Sequence, residues 1–439
     1  MNSFIIAEEL MYRKTHNSSY DMFSDAKESI LTGVSSCYQN IKPYPIYFKD
    51  GSGCIITDVD DNNYIDLHCG FGATIYGYKH PIILDALESN LHKPQIIGYP
   101  SPVIISASQK LTEIYNFPKW RFMNSGTEST LDAIRLSRGY LNRKYIIKIE
   151  GGYHGHHDSV WVGITPSIST DRDNIHSIPY CDGIPSDISN LTIIIESNNI
   201  SYLRTIANKY NIDIACIIIE PVLLNCGMIK LNSDFLDEIA TICNNYDITL
   251  IYDLVKINSC TYISDWNRIK PDIITLGKSI AGGYPIGVIG MTNKYAELVS
   301  SGKVILGGTL NGNSHTIHIL NTVIHHLTPE IICECVKKSK HIEDEFNLIL
   351  QKHNISGYAT SYGIKGAVTF TKSTITKYSE YYKYVNKELE YLWYLYATNR
   401  GFLIQIRDEW TISLPVNDEH IVRFILLFDE FCELVSKVL

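Results

Sequence analysis

The sequence predicts an α/β protein whose main domain contains a mostly parallel sheet covered by helices on both faces. From about Phe71 to Leu327, short apolar segments alternate with amphipathic ones, as in β-strands joined by helical crossovers. Residues 328–439 mix helical patterns with short strands, which predicts a smaller α+β domain. We therefore expect a large α/β domain followed by a small C-terminal one.

The elements follow one another in a regular order along the chain. Residues 1–70 form an N-terminal segment with no clear periodicity before Ala26, followed by a β-meander at 47–67. In that meander, 55–60 predicts a strand, 61–63 a turn and 64–67 the return strand. Residues 71–327 form the predicted large domain, with helices at 127–141 and 233–245. Its strands are predicted at 145–148, 193–196, 215–220, 249–253 and 273–276. The C-terminal domain at 328–439 has predicted strands at 402–406 and 409–414.

Composition restricts the class of protein. The 439 residues are 45% hydrophobic and 19% charged, which is typical of a globular chain of two or three domains. A net charge of −9 argues against nucleic acid or an anionic membrane as partner. The longest apolar run, at 214–224, is interrupted by Glu220 and is too short to span a bilayer, and the N-terminus does not resemble a signal peptide. Eleven cysteines without a CxxC pair predict reduced thiols in a cytoplasmic protein.

Lys278 and Asp253 are the most informative pair of residues. Lys278 follows a predicted strand in a glycine-rich loop, and Asp253 ends an earlier apolar strand. A lysine and a buried carboxylate are the minimum needed to hold pyridoxal 5'-phosphate (PLP). The amine forms a Schiff base with the PLP aldehyde, and the carboxylate pairs with the pyridinium nitrogen. The alternatives are a solvated loop lysine and a structural salt bridge at Asp253.

Two turns with glycine precede helical segments. Ser125, Gly126 and Thr127 come directly before a predicted helix, where small residues let backbone N–H groups approach a phosphate. The alternative is an ordinary N-cap formed by a Ser or Thr hydroxyl. A second turn, at 307–313, contains Thr309 and predicts either another hydroxyl for a phosphate or a plain surface turn.

The loop at 151–158 and the acid Glu220 also follow predicted strands. We expect Tyr153, on a glycine-rich turn, to stack on a flat heterocycle, with packing in the core as the alternative. The three histidines and Asp158 of this loop lack the i,i+4 spacing of a metal-binding helix, so no metal site is predicted. Glu220 ends its strand where ligands bind in parallel sheets, although backbone donors could satisfy it equally well.

Together and in this order, these segments resemble the class III aminotransferases, which are fold-type I PLP-dependent enzymes. The resemblance extends from about Thr32 to the C-terminus and is closest to the glutamate-1-semialdehyde 2,1-aminomutase-like members. It is carried by DVDDNNYIDL (58–67), NSGTEST (124–130), AIRLSRG (133–139), GGYHGHHD (151–158), IIEPV (218–222), LIYD (250–253), LGKSIAGGYPIG (276–287) and GGTLNGN (307–313).

The resemblance implies a fold with a seven-stranded-type sheet, PLP as cofactor, and no metal. It implies that Lys278 is the catalytic Schiff-base lysine and that Asp253 is the pyridinium partner. It also implies that Tyr153 and Val255 pack on opposite faces of the ring. Thr309 is expected to reach the cofactor phosphate of the neighbouring subunit, which makes the active unit a homodimer. The predicted cofactor-binding residues are Ser125, Gly126, Thr127, Tyr153, Glu220, Asp253, Val255, Lys278 and Thr309.

The sequence departs from the family pattern at positions expected to contact substrate. The family usually has Glu after the strand-end Asp, where this chain has Leu254, and the loop that follows, 256–259, is rewritten. An arginine that receives the substrate carboxylate in the aminomutases is replaced by Gln39, and a tryptophan by Phe71. Residues for the cofactor are therefore kept, while residues for the substrate differ.

The sequence thus predicts an aminotransferase that moves an amino group between an amino-acid-like or amino-sugar-like donor and a carbonyl acceptor, through the Lys278 Schiff base. Aminomutase, racemase or epimerase, and decarboxylase activities are alternatives, because all of them begin at the same link to PLP. A non-catalytic homologue is a third interpretation, and retention of both Lys278 and Asp253 argues against it.

Overall fold

A computed structural model describes residues 1–96, 98–163, 177–258, 269–407 and 409–437. Contacts between Cα atoms divide the chain into two compact units. The first contains Met1–Pro81, Cys333–Thr374 and Val385–Leu439, and the second contains Ile82–Ile332 and Ile375–Tyr384. Each unit thus combines distant parts of the chain. The division into ranges 1–70, 71–327 and 328–439 stays a prediction.

Strands and helices alternate through most of the chain. The strands are β1 (Phe48–Ser52), β2 (Ile55–Asp58), β3 (Asn63–Asp66), β4 (Lys119–Met123), β5 (Tyr145–Ile149), β6 (Thr192–Ile195), β7 (Ile214–Ile219), β8 (Val222–Leu223), β9 (Ile229–Lys230), β10 (Thr249–Asp253), β11 (Ile273–Gly277), β12 (Gly287–Met291), β13 (Tyr358–Tyr362), β14 (Lys365–Thr369), β15 (Phe402–Leu403) and β16 (Glu409–Thr411).

The helices complete this order. They are α1 (Asn2–Thr15), α2 (Asn17–Ala26), α3 (Cys69–Gly72), α4 (Pro81–Glu88), α5 (Val103–Tyr115), α6 (Gly126–Leu141), α7 (Ser186–Ser189), α8 (Ile200–Tyr210), α9 (Ser233–Tyr246), α10 (Asn293–Ser300), α11 (Ser314–His326), α12 (Pro329–Lys352), α13 (Tyr378–Tyr384), α14 (Lys387–Thr398) and α15 (Asp418–Ser436). Short 3-10 helices lie at Leu31–Gly33, Cys37–Gln39 and Lys278–Ala281. Within the described residues, none of these helices combines the length and the apolarity needed to cross a membrane.

The second unit is built on a seven-stranded sheet with the order β4-β12-β11-β10-β7-β5-β6. The five strands from β11 to β6 are parallel, and β12 is antiparallel to both of its neighbours, β11 and β4. The predicted mostly parallel sheet is therefore confirmed. The sequence reading did not identify β12, because the segment Gly287–Met291 contains two glycines, which weaken a strand signal.

Burial on both faces explains why the central strands are continuous apolar runs. Every residue of β7, β10 and β11 is buried, as expected for parallel strands covered by helices on each side. Six of the seven strands run in the same direction, with β12 as the exception, so the carboxyl ends of β4, β5, β7, β10 and β11 lie along one edge of the sheet. The residues that follow these strands are thereby brought together.

The first unit contains two smaller sheets, with the orders β1-β2-β3-β15 and β13-β14-β16. The predicted meander is present, although its first predicted strand ends at Asp58 rather than Asp60. The predicted strands at 402–406 and 409–414 are shorter, because β15 and β16 end where their pairing with β3 and β14 ends. Helices α1 and α2 lie in the stretch where we read no pattern. Their apolar periodicity is weak because Glu8 and Tyr12 alone are buried in α1 and Ser19 alone in α2.

Candidate active site

A cavity of about 260 Å³ lies at the carboxyl edge of the seven-stranded sheet, within the second unit. Loops that follow β4, β5, β7, β10 and β11 line it, which is where open α/β sheets bind ligands. The predicted site residues that line the cavity are Ser125, Gly126, Thr127, Tyr153, Glu220, Asp253, Val255 and Lys278. Thr309 does not line it. The fold thus brings together residues separated by up to about 150 positions in the chain.

Asp253 occupies the end of β10 at the wall of the cavity and is 5% exposed. Its Oδ1 accepts hydrogen bonds from the Val255 N–H at 3.1 Å and the Thr275 hydroxyl at 3.0 Å. Its Oδ2 lies 2.9 Å from His154 Nδ1. A carboxylate held by three partners has a fixed orientation, so it can present a negative charge at one defined place in the cavity.

His154 is a residue at the site that our sequence reading did not identify. It is 1% exposed, and this burial lowers the pKa of its imidazole, which is therefore neutral at pH 7. A neutral ring whose Nδ1 carries the proton donates to Asp253 Oδ2. The signal was the position of His154 directly after Tyr153, but the sequence pattern of the histidines was interpreted only in terms of metal binding. Among the described residues, no group of three or more His, Cys, Asp or Glu side chains could hold a metal ion.

The amino end of α6 forms one side of the cavity. The Ser125 hydroxyl accepts the Glu128 N–H at 3.2 Å, and the Glu128 carboxylate accepts the Ser125 N–H at 3.1 Å. This reciprocal capping box confirms that Ser125 is the N-cap, so the N-cap interpretation holds for its side chain. The first-turn N–H groups of a helix that starts at Gly126 can still receive an anion at this end.

Two glycines are required for the backbone to pack closely beside α6. A Cβ on Gly126 would lie 2.7 Å from Val255 Cγ1, and a Cβ on Gly155 would lie 2.7 Å from Thr127 Oγ1. Gly155 also has a φ of +95°, which disfavours other residues. These contacts hold the loops after β5 and β10 against the helix start, so the anion-binding end of α6 and Asp253 share one cavity.

Glu220 and Tyr153 are connected to each other at the cavity. The Tyr153 N–H donates to Glu220 Oε1 at 2.8 Å, so a backbone donor satisfies this strand-end acid as the alternative interpretation expected. Burial raises the pKa of Glu220 to about 8, although Lys256 and Lys278 act in the opposite direction. Glu220 therefore fixes the loop that carries Tyr153 and is mainly protonated at neutral pH.

Lys278 follows β11 directly and is half-buried at the cavity. Its φ of +52° lies in the left-handed region, which costs free energy for a residue with a side chain. Asn258 stabilises this turn, because its Nδ2 donates to the Gly277 carbonyl at 2.9 Å and its Oδ1 accepts the Ser279 hydroxyl at 2.8 Å. A strained lysine whose neighbours are held on both sides is typical of a functional position.

The groups around the cavity fit PLP. A buried carboxylate can face the pyridinium nitrogen, a lysine can reach the aldehyde, and a helix N-terminus can receive the phosphate. The absence of a side chain at Gly126, where a Cβ would overlap Val255, keeps the helix start and the loop after β10 close enough for one ligand to contact both. The donor set and its arrangement therefore agree with the cofactor predicted from the sequence.

Comparison with known proteins supports the same conclusion. The family model described as "Aminotransferase class-III" matches residues 37–415. The chain belongs to the class III aminotransferases. It is 32% identical to a glutamate-1-semialdehyde 2,1-aminomutase of Sulfurihydrogenibium sp. over 83% of this chain and 86% of that protein. A solved structure named as a transaminase with PLP bound is 25% identical, with a TM-score of 0.88 over 96% of this chain and 98% of that one. An omega-transaminase from Sphaerobacter thermophilus shares the fold, with a TM-score of 0.92, 24% identity, and coverage of 97% of this chain and 99% of that one.

From these findings we conclude that the protein is a PLP-dependent enzyme of fold type I. The positions at which it departs from the family pattern lie in different places. Leu254 is fully buried, its N–H donates to the Thr275 carbonyl at 2.9 Å, and it does not line the cavity. Lys256 does line it. Gln39 is exposed and Phe71 is half-buried in the first unit, and Ser259 lies outside the described residues.

Thr309 is exposed in the turn between Val304 and α11. The same turn is attached to the loop after β4, because Asn124 Nδ2 donates to Asn311 Oδ1 at 2.9 Å and Asn124 lines the cavity. The turn bearing Thr309 is thus connected to the cavity at the start of α6, while Thr309 itself does not line the cavity. Its role toward a neighbouring subunit stays a prediction.

Proposed function

We propose that the protein transfers an amino group between a small amino-acid-like or amino-sugar-like donor and a carbonyl acceptor, with Lys278 as the catalytic residue. One observation carries this proposal. Lys278, Asp253 and the amino end of α6 line a single cavity at the carboxyl edge of the sheet. These are the groups that PLP chemistry requires, and the family match to residues 37–415 agrees with them.

Each residue has a distinct task toward the cofactor in this proposal. When bound, PLP supplies an aldehyde that takes up the amino group and a ring that accepts electrons from the substrate carbon. Asp253, oriented by His154 and Thr275, keeps the ring nitrogen protonated. The N–H groups of Gly126 and Thr127 at the start of α6 hold the phosphate. Tyr153 and Val255, which both line the cavity, would pack against the ring of the bound cofactor.

Lys278 has two tasks in succession. Its amine would hold the bound cofactor, and as a free amine it would act on the substrate. The released Nζ removes a proton from the substrate carbon that carries the amino group, acting as a general base. The turn at Lys278 is stabilised by Asn258, which holds the backbone of this lysine at the cavity. A free lysine that stays in place is what allows one residue to perform both steps.

Aminomutase activity is the second candidate, because the similar curated protein of Sulfurihydrogenibium sp. is a glutamate-1-semialdehyde 2,1-aminomutase. An aminomutase releases an isomer of its substrate, whereas a transaminase releases a separate carbonyl compound. A transaminase converts an amino donor alone into a released carbonyl compound and leaves pyridoxamine phosphate on the protein. A racemase, epimerase or decarboxylase returns PLP unchanged. A non-catalytic homologue would not need Lys278 and Asp253 in the same cavity.

The homodimer belongs to this proposal. Thr309 is exposed, and its turn is attached through Asn311 to Asn124 at the cavity. We expect Thr309 to reach the cofactor phosphate of a second subunit. Mixing Lys278→Ala subunits with Thr309→Ala subunits tests this, since a mixed dimer then has one site with Lys278 from one subunit and Thr309 from the other. Recovery of activity on mixing supports the proposal, and no recovery above that of Thr309→Ala alone contradicts it.

The partners are small molecules in this proposal, and the location is the cytoplasm. The ten cysteines among the described residues form no disulfide bonds, and most of them are buried, which is compatible with a reducing compartment. Neither a nucleic acid nor a membrane is part of the proposed function. Fractionation of cells is the direct measurement, and recovery of the protein outside the cytoplasm would contradict this assignment.

The experiment that tests the function begins with purified protein loaded with PLP. Amino acids, amines and amino sugars are added one at a time without an acceptor, and absorbance is followed. The expected result is loss of the visible band of lysine-bound PLP and formation of pyridoxamine phosphate with at least one donor. A protein that stays colourless after PLP addition, or that returns PLP unchanged with every donor, would contradict the proposal.

A further inference from the structure

His156 is an exposed histidine in the loop after β5, and its ring contacts the start of α6. Its Nδ1 lies 3.1 Å from Thr127 Oγ1. Thr127 belongs to the first turn of α6 and lines the cavity, whereas His156 does not. The proposed function gives this contact no task. His156 is thus a polar side chain behind a residue that is expected to bind the cofactor phosphate.

Close packing of the loop fixes the position of His156. Gly155, directly before it, approaches α6 so closely that a Cβ there would lie 2.7 Å from Thr127 Oγ1. The Trp161 ring meets the His156 ring edge to face, with centroids 5.6 Å apart and planes at 86°. Trp161 also contacts Tyr153, with ring centroids 6.1 Å apart. The same loop therefore reaches the cavity at two places, through Tyr153 and through the contact of His156 with Thr127.

The number of protons at this contact decides which group donates. A fully ionised phosphate only accepts hydrogen bonds, and the Thr127 hydroxyl has a single proton to donate. When that proton is directed to a phosphate at the start of α6, the hydroxyl oxygen can only accept from His156. Nδ1 must then carry a proton and donate it to Thr127 Oγ1. Without this donor, the hydroxyl is free to turn its proton toward a backbone carbonyl or water instead.

We propose that His156 is a positioning residue that fixes the Thr127 hydroxyl as a donor to the cofactor phosphate and so raises the affinity for the phosphorylated cofactor. This inference rests on the proposed function, which places that phosphate at the start of α6. His156 acts through Thr127, because it contacts this cavity-lining residue without lining the cavity itself. Its effect should therefore be confined to the phosphate, and a cofactor analogue that lacks the phosphate should not respond to it.

Binding of PLP and of pyridoxal tests this difference, because pyridoxal has the same ring and aldehyde without the phosphate. Protein freed of cofactor is titrated with each compound, and visible absorbance gives the two dissociation constants. His156→Ala should bind PLP roughly tenfold more weakly and should bind pyridoxal as the wild type does. His156→Asn should recover most of the affinity for PLP, since its amide N–H can occupy the position of Nδ1. His341→Ala is the control, because His341 is an exposed histidine of α12 that does not line the cavity.

A double-mutant cycle tests whether His156 acts through Thr127. Thr127→Val removes the hydroxyl and keeps the shape of the side chain. In this background, His156→Ala should cause no further loss of affinity for PLP. Losses that add up would show that His156 reaches the cofactor by another route and would overturn the proposal. An equal loss of affinity for PLP and pyridoxal in His156→Ala would overturn it as well, since the loop bearing Tyr153 would then be disturbed as a whole.

Phosphorus NMR of protein saturated with PLP observes the phosphate directly. The resonance of bound PLP should move toward that of free PLP in His156→Ala and return in His156→Asn, at one pH throughout. An unchanged resonance in His156→Ala would contradict the proposal. Failure of the proposed function is separately visible, because no donor would then yield pyridoxamine phosphate in the wild type. The binding and NMR measurements need no amino donor, so they decide the role of His156 independently of that reaction.

Discussion

The two sides of the cavity differ in how closely they follow the family pattern. On one side lie the motif residues Asp253 and Lys278 and the start of α6. Hydrogen bonds to neighbouring residues fix the Asp253 carboxylate, the start of α6 and the turn beside Lys278. On the other side, the loop after β10 brings in Lys256 against Asn225. The change occurs within three residues of the same loop. PLP presents identical groups in every enzyme, whereas each substrate presents different ones, so the first side is constrained and the second is free to vary.

Two of the replaced positions in that loop, Leu254 and Lys256, also differ from each other. Leu254 is fully buried outside the cavity lining, so the loss of an acid there changes packing rather than the charge of the cavity. Lys256, two residues later, lies in the lining. A departure from a family motif therefore has functional meaning only when its side chain reaches the site. Substitutions on the cofactor side should accordingly have larger effects than substitutions on the substrate side.

The largest effect is expected for Lys278→Ala. Loss of the amine removes both the link to PLP and the general base, so the rate of pyridoxamine phosphate formation should fall about 10⁴-fold or more. Reduction with borohydride should attach the cofactor covalently to Lys278 in the wild type and leave the variant unlabelled at this position. Mass spectrometry of peptides then locates the label. Lys256→Met is the comparison, and it should keep the label at Lys278. Labelling of Lys256 instead of Lys278 would reverse the assignment of the two sides.

A smaller effect is expected when His154 is replaced, because it acts through Asp253. His154→Leu removes the Nδ1 donor 2.9 Å from Asp253 Oδ2 and should lower activity about 10- to 100-fold. His154→Asn should recover part of this loss, since an amide nitrogen can occupy the position of Nδ1. The pH dependence of the visible band of bound PLP is the second measurement, because a purely structural role would not change it. Equal behaviour of the two variants would contradict the role of His154 as the residue that orients Asp253.

The sequence was informative where one local pattern determined the outcome. β7 and β10 were predicted because strands buried on both faces must be apolar throughout, and Asp253 was predicted because it ends such a run. The amphipathic pattern of α6 was equally clear. These features depend on neighbouring residues in the chain, so they can be read without knowledge of the tertiary structure.

Other features depend on contacts between distant residues. His154 and Asp253 are 99 residues apart, and nothing in the loop 151–158 indicates which side chain lies opposite. The placement of Lys256 in the cavity and of Leu254 outside it depends on the turn at 255–258, which the departure from the family pattern made hard to predict. Helices α1 and α2 were missed because few of their residues are buried. The sequence thus predicted the cofactor side of the site better than the substrate side.

Gly126→Ala tests the packing between the two sides. The new methyl group would lie 2.7 Å from Val255 Cγ1, so either the helix start or the loop after β10 must move. The affinity for PLP should fall roughly tenfold, which corresponds to the usual cost of overpacking. Adding Val255→Ala to Gly126→Ala should recover part of the affinity, and unchanged affinity in Gly126→Ala would show that the two loops are not held together by this contact.

The smallest effect is expected for Glu220→Gln, and it concerns stability of the protein without cofactor. Burial raises the pKa of Glu220 from an ordinary value of 4.5 to about 8. The unfolded chain therefore releases this proton near pH 4.5, whereas the folded protein keeps it until about pH 8. Wild-type stability should thus fall between these two pH values relative to Glu220→Gln, whose amide oxygen can still accept the Tyr153 N–H.

Chemical denaturation at several pH values measures this difference. The free energy of unfolding of Glu220→Gln minus that of the wild type should rise from pH 5 to pH 8 and then level off. Glu238→Gln is the control of opposite sign, because its hydrogen bond with Arg204 lowers the pKa of Glu238. That contribution is already complete above the ordinary carboxyl range, so the control difference should be constant over the same interval. A constant difference for Glu220→Gln as well would mean that Glu220 is already ionised in the empty cavity. The positive charges of Lys256 and Lys278, which lower its pKa, would then outweigh the effect of burial.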